Sequence, residues 1–145
     1  NPLVLHKYHL NASTLEGNTS KTMFNTKSTL TVNYDSYFDY EGIGKKVLPK
    51  DVLLEDQLPY SLRALLFSDN LKVKLNILEN QTSVNVGDLR VYHATVKVKA
   101  QDETTWTVAV ALDSNKTNTY IFEKAYPNTL TKMHTWDGRS MTLIK

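Results

Sequence analysis

In Trp106-Thr107-Val108-Ala109-Val110-Ala111-Leu112, a large apolar side chain falls at every second position, with smaller ones between. A period of two marks a strand, because successive side chains of an extended chain point to opposite faces. The same rhythm recurs outward from this stretch. Ala94, Val96 and Val98 alternate with Thr95, Lys97 and Lys99. Leu71, Val73, Leu75 and Ile77 alternate with Lys72, Lys74 and Asn76, and Leu30, Val32 and Tyr34 with Thr29, Thr31 and Asn33. Each reads as a half-buried strand with one face on a core and one toward water. Ala109 and Ala111 make the second face of the first stretch partly apolar, so some cover is expected there.

Turn chemistry separates these runs. Asp113-Ser114-Asn115-Lys116 reads as a loop leading into a strand over Thr119–Glu123, and Tyr126-Pro127-Asn128 as a break. Asp137-Gly138 lies between Leu130–Trp136 and Arg139–Ile144. It predicts a two-residue type I′ hairpin, which needs positive φ at both central residues. The C-terminal half is thus a meander of about five strands.

One segment leaves the rhythm. Pro59-Tyr60-Ser61-Leu62-Arg63-Ala64-Leu65-Leu66-Phe67 predicts a helix that starts at Pro59 and shows Leu62, Leu65 and Leu66 on one face. Lys50–Glu55 is a second helical candidate. Ala12–Lys27 is polar and lacks a period, which fits a long hairpin loop or an edge strand. The expected fold is mainly β: a curved antiparallel sheet or open β-barrel with one or two short helices, in a single β domain over residues 1–145.

Composition narrows the function. The chain's 145 residues suffice for a core without a metal or disulfide staple. There is no cysteine, which excludes thiolate metal sites and thiol nucleophiles. The net charge of +2 and the absence of a Lys/Arg block leave no footprint for nucleic acid. No run approaches ~18 apolar residues, so no transmembrane segment is expected, and no stretch reads as a signal peptide. Sequons at Asn11, Asn18, Asn80 and Asn115 are the chance product of an Asn- and Thr-rich sequence.

Catalytic constellations are missing from the linear sequence. His6 and His9 would point to opposite faces of a strand, poor geometry for a shared metal. Asp35, Asp39 and Glu41 lack a calcium-loop spacing and read as an acidic turn beside Tyr34, Tyr37, Phe38 and Tyr40. Glu41-Gly42-Ile43-Gly44-Lys45-Lys46 has neither a P-loop nor a dinucleotide spacing. A non-enzyme without metal or cofactor is the expectation.

Leu58-Pro59-Tyr60-Ser61-Leu62-Arg63-Ala64-Leu65-Leu66-Phe67-Ser68 resembles a motif of a bacterial exported family of unknown function, itself similar to lipoprotein carriers and receptors of the Lol type. Ala94-Thr95-Val96-Lys97-Val98 and Ala109-Val110-Ala111-Leu112-Asp113 are similar to two of its strands. Thr119-Tyr120-Ile121-Phe122-Glu123-Lys124-Ala125-Tyr126-Pro127 with Leu130-Thr131-Lys132-Met133 looks like its closing run. The likeness covers Leu58 to Ile144. Asp102-Glu103-Thr104-Thr105-Trp106 departs from it, standing where such sequences carry a Pro-Ala-Gly-Thr-like turn. The resemblance implies an open β-barrel with a helix in its mouth, exported to the periplasm or cell surface, in a fold class whose apolar cavity holds acyl chains.

The leading expectation is therefore an extracytoplasmic binding domain for an apolar or amphipathic, lipid-like ligand. Its candidate lining is Trp106, Val108, Val110, Tyr120, Phe122, His134 and Trp136, residues that equally fill a core if no cavity exists. Arg63 either reaches water, pairs with a carboxylate or meets an anionic headgroup. The alternative is a structural or protein-interaction module of a cell-envelope assembly or polysaccharide system. It has a solid core and an exposed patch of Tyr34, Phe38 and Tyr40, with Tyr37 turned away.

Overall fold

The computed structural model describes residues 7–15, 17–26, 29–82, 84–86 and 89–144. His6 lies outside them. The strands are β1 (Lys7–Thr14), β2 (Gly17–Asn25), β3 (Leu30–Ser36), β4 (Ile43–Leu48), β5 (Val52–Leu54), β6 (Lys72–Leu78), β7 (Val91–Ala100), β8 (Thr105–Ala111), β9 (Thr117–Glu123), β10 (Leu130–His134) and β11 (Ser140–Thr142). A short helix α1 (Leu58–Ser61) is flanked by 3-10 turns at Glu55–Gln57 and Leu62–Ala64. The fold is mainly β and antiparallel with one short helical segment, as the alternation predicts. The described residues gather into two compact units interleaved in sequence, 1–55 with 78–91 and 56–77 with 92–145.

The first unit carries a sheet of order β1-β2-β3-β4. The period-free stretch of the sequence is its β1–β2 hairpin, with Lys7 opposite Phe24 and Thr14 opposite Gly17. Its rhythm is hidden because two inward residues of β2, Thr19 and Lys21, are polar, yet neither is exposed at all. They are tolerated because their polar atoms are satisfied. The Lys21 ammonium donates to the Asn85 carbonyl (2.7 Å) and the Gln81 side-chain oxygen (3.4 Å). The Thr19 hydroxyl donates to the Val84 carbonyl. Lys46 reaches the Leu89 carbonyl (2.6 Å), and the Glu41 carboxylate accepts from the Val86 N–H (2.8 Å). The segment after β6 is thereby tied across the sheet. Beneath it Met23, Leu30, Val32, Leu48, Val52, Leu54, Leu78 and Leu89 form one apolar cluster.

Gly44 has a specific reason. It pairs across strands with Tyr34, whose ring lies on it. A Cβ at Gly44 would stand 2.3 Å from the Tyr34 hydroxyl oxygen and 2.4 Å from Cζ. Tyr34 is therefore occupied against its neighbour strand and the core, so it does not belong to the exposed aromatic patch. Tyr37, Phe38 and Tyr40 make that patch instead, with ring centroids 6.0 and 5.6 Å apart in sequence order. The chain turns after Ser36, so strand alternation no longer sorts these side chains by face.

In the second unit the strands run β11-β10-β9-β8-β7-β6. Val98, Val108 and Tyr120 share one row of the ladder, and Trp106 and Phe122 the next. Val96, Val98, Val108, Val110, Tyr120 and Phe122 are at most 1% exposed. Three local expectations fail here or nearby. The predicted helix stops at Ala64: Leu65 is extended (φ −65°, ψ 143°), so Leu58 and Leu62 are buried while Leu66 is 89% exposed. Lys50–Glu55 is not helical; it contains β5, whose Val52 and Leu54 alternate into the core of the first unit. The Asp137-Gly138 turn has three residues. Gly138 donates to the Thr135 carbonyl (3.0 Å), Thr135 to the Arg139 carbonyl (2.9 Å), and only Gly138 takes positive φ (+88°). Asp137 avoids the left-handed region because its carboxylate closes the turn from outside. It accepts from the Thr135 hydroxyl and from Arg139 Nε (2.9 Å).

A lysine-rimmed cleft as candidate functional site

The residues expected at a site separate in space. Trp106, Tyr120 and Phe122 come together on the inner face of the second unit's sheet. Phe67 packs on two of them, its ring centroid 6.1 Å from Trp106 and 5.6 Å from Phe122. Lys124 Nζ stands 4.5 Å from the Trp106 centroid. Tyr120 and Phe122 are about as buried as side chains can be, at 1% and 0% exposure.

His134 goes elsewhere. A bulge in β10 between Leu130 and Lys132 shifts the register, so Leu130 and Met133 oppose Phe122 and Tyr120 while Lys132 and His134 oppose Ile121 and Thr119. An extra residue in one strand reverses which side chains face the core. His134 is consequently on the outer face and exposed. Trp136 sits in the turn after β10. Its backbone N–H donates to the Asn118 side-chain oxygen (2.9 Å), and its ring centroid lies 3.9 Å from Lys116 Nζ. The same ammonium donates to the Tyr92 hydroxyl (3.0 Å), which anchors the turn. Arg63 is exposed and donates from Nε (3.3 Å) and Nη2 (3.0 Å) to the Pro127 carbonyl. It ties the end of the helical segment to the loop after β9.

A pronounced concavity lies on the opposite face of this sheet. Lys72, Lys97, Lys99, Asn70, Gln101, Thr107 and Ala109, with the backbone near Leu71, Val98 and Ala100, line a cleft of about 580 Å³. Its wall is mostly apolar. The stems of long lysines supply apolar surface while their ammonium groups stay in water. Thr107 and Ala109 give the floor its depth because they are short. Asp69 is bonded to two residues of the lining, its carboxylate accepting from the Ala100 N–H (3.0 Å) and the Asn70 side-chain amide (3.3 Å). Sequence reasoning passed over this site. Its signal was present as Lys-x-Lys on the solvent-facing phase of two strands, Lys72 and Lys74 on one and Lys97 and Lys99 on the other.

Beside the cleft, the β7–β8 turn is built on Asp102. The Thr105 hydroxyl (2.8 Å) and the N–H and hydroxyl of Thr104 (2.7 and 2.8 Å) all donate to its carboxylate, as does the Thr105 N–H. These bonds, that of the Thr105 side chain first, push its pKa down to about 2. Partial burial raises the Asp137 carboxyl, but the Thr135 hydroxyl and the Arg139 guanidinium outweigh it and hold the group below its ordinary value. Among the described residues no group of three His, Asp or Glu side chains is placed to hold a metal ion. Among the same residues no helix is long and apolar enough to cross a membrane. Comparison with family models, curated proteins and solved structures found no match.

Proposed function

We propose that the protein is a non-catalytic, extracytoplasmic binding domain for an amphipathic ligand with an anionic end, taken up in the cleft rimmed by Lys72, Lys97 and Lys99. One observation carries this reading. A cleft of about 580 Å³ with a mostly apolar wall is lined in part by three lysines, Lys72, Lys97 and Lys99, and that volume lies within the range of small-molecule sites. The apolar part of the ligand lies against the wall, and its carboxylate or phosphate meets the lysines. The extracytoplasmic location rests on the Lol-type resemblance of Leu58 to Ile144.

The test is titration with a fluorescent fatty acid whose emission rises on leaving water. Saturable binding is expected, weakened about tenfold or more by Lys97→Glu, since reversing a charge near an anion removes attraction and adds repulsion. Absence of saturable binding ends the reading. An interaction module of an envelope assembly or polysaccharide system is the second reading. It is favoured by the exposed rings of Tyr37 and Tyr40, at 69% and 78% exposure.

A further inference from the structure

We propose that the outer face of the second unit's sheet docks on an anionic lipid surface. Lys72 and Lys74 of β6, Lys97 and Lys99 of β7, and Lys132 of β10 are all exposed. They share one face. His93 Nδ1 lies 2.6 Å from Asn76 Oδ1, so the Lys72–Lys74–Asn76 phase of β6 is on the same side as the His93–Lys97–Lys99 phase of β7. Lys99 pairs with Thr107, Thr107 with Ile121, and Ile121 with Lys132. That row crosses four strands, so at about 4.8 Å per step its two lysines are rooted ~14 Å apart. The cations thus form two banks, one on β6 and β7 and one on β10. Between them stand mostly short side chains such as Thr107, Ala109 and Thr119, which let the ammonium groups on both banks reach one plane.

The ionised carboxylate of Asp102 stands in the turn beside the cleft, taken up by Thr104 and Thr105. Among the described residues no ion pair engages any of these five lysines; the ion pairs of Arg139 lie with Asp56 and Asp137. Asp69 is bonded to its own loop and β7. Glu123, at the end of β9, is half-buried.

A two-dimensional array of cations favours a surface over a chain. A linear polyanion lying along the strands meets one bank, whereas a plane of anionic headgroups meets both. Single-stranded nucleic acid needs aromatic platforms for its bases, and the outward positions of β6 to β10 hold no Phe, Tyr or Trp. The apolar-walled cleft opens within the same patch, where an acyl chain leaving the surface would meet it. Docking shares Lys72, Lys97 and Lys99 with the ligand reading but needs no occupied cleft.

The experiment is co-sedimentation with vesicles of phosphatidylglycerol and, separately, of phosphatidylcholine. Binding to the anionic vesicles is expected to exceed binding to the neutral ones by about tenfold or more and to vanish at high salt, since lysine attraction to a charged leaflet acts within a Debye length. Lys132→Glu, outside the cleft, is expected to reduce vesicle binding severalfold while leaving fatty-acid binding unchanged. Lys45→Glu in the first unit is expected to change neither. Loss of fatty-acid binding alone strikes the ligand reading and leaves docking standing. Equal binding to both vesicles, indifference to salt, an equal loss from Lys45→Glu, or retention by an acidic polysaccharide without retention by phosphatidylglycerol overturns docking.

Discussion

The two units bury different chemistry. Under the first sheet, Thr19, Lys21 and Ser36 share the interior with leucines and valines, and the segment after β6 is held by side-chain bonds to backbone carbonyls. In the second unit, the packed face of β7, β8 and β9 is valine, alanine and aromatic, with Asn118 as its polar exception. An apolar interior tolerates loss in proportion to the volume removed, whereas a buried polar bond fails as a unit because its partner is left unsatisfied. The apolar inner face of the second sheet also leaves its outer face free to carry unpaired lysines, since the packing does not depend on them.

The contrast can be broken by mutation. Phe122→Ala should cost the most, about 3–5 kcal/mol, because it empties a fully buried aromatic site against Phe67 and Trp106. Urea unfolding followed by tryptophan fluorescence measures it, since both tryptophans, Trp106 and Trp136, belong to the second unit. Lys21→Ala should cost about 3 kcal/mol in unfolding followed by far-UV circular dichroism, from the cavity and the orphaned Asn85 carbonyl together. An equal shift of its tryptophan transition would merge the two units into one cooperative block and end the contrast.

Gly44→Ala should cost about 1–2 kcal/mol, because the new Cβ displaces the Tyr34 ring. The double variant with Tyr34→Ala should cost less than the sum of the two single changes. A strictly additive result would remove the ring contact as the cause.

The smallest effect concerns the turn of Asp102. Its carboxyl is depressed to about 2 from an ordinary 3.8. The bonds it makes therefore stabilise the turn fully above about pH 4 and are lost as the pH falls through about 2. The protection of the Thr104 and Thr105 amides against exchange, relative to the intrinsic rate at each pH, should fall across that acid window in the native chain. In Asp102→Asn that protection should be lower at neutral pH and unchanged across the same window.

The strands were legible wherever one face was wholly apolar. β3, β6, β7 and β8 follow directly from the alternation of Leu30–Tyr34, Leu71–Ile77, Ala94–Val98 and Trp106–Leu112. β1 and β2 were not, because the inward face of β2 carries Thr19 and Lys21, whose burial depends on carbonyls more than sixty residues away. The helix was found, but not its length, since Leu65 extends where local propensity favours another turn. Of the expected site, Trp106, Tyr120 and Phe122 were rightly grouped on one face, while a single β10 bulge sent His134 to the other.

The sequence by itself determined that this chain is a β protein and which residues of most strands face a core, because period-two patterning is a local property of an extended backbone. Only the tertiary structure decided where the charge gathers. Lys72, Lys74, Lys97, Lys99 and Lys132 are scattered over sixty residues of a chain with net charge +2. Strand order and one bulge bring them to a single face, and neither can be read from local pattern, because both are set by pairings between residues far apart in sequence.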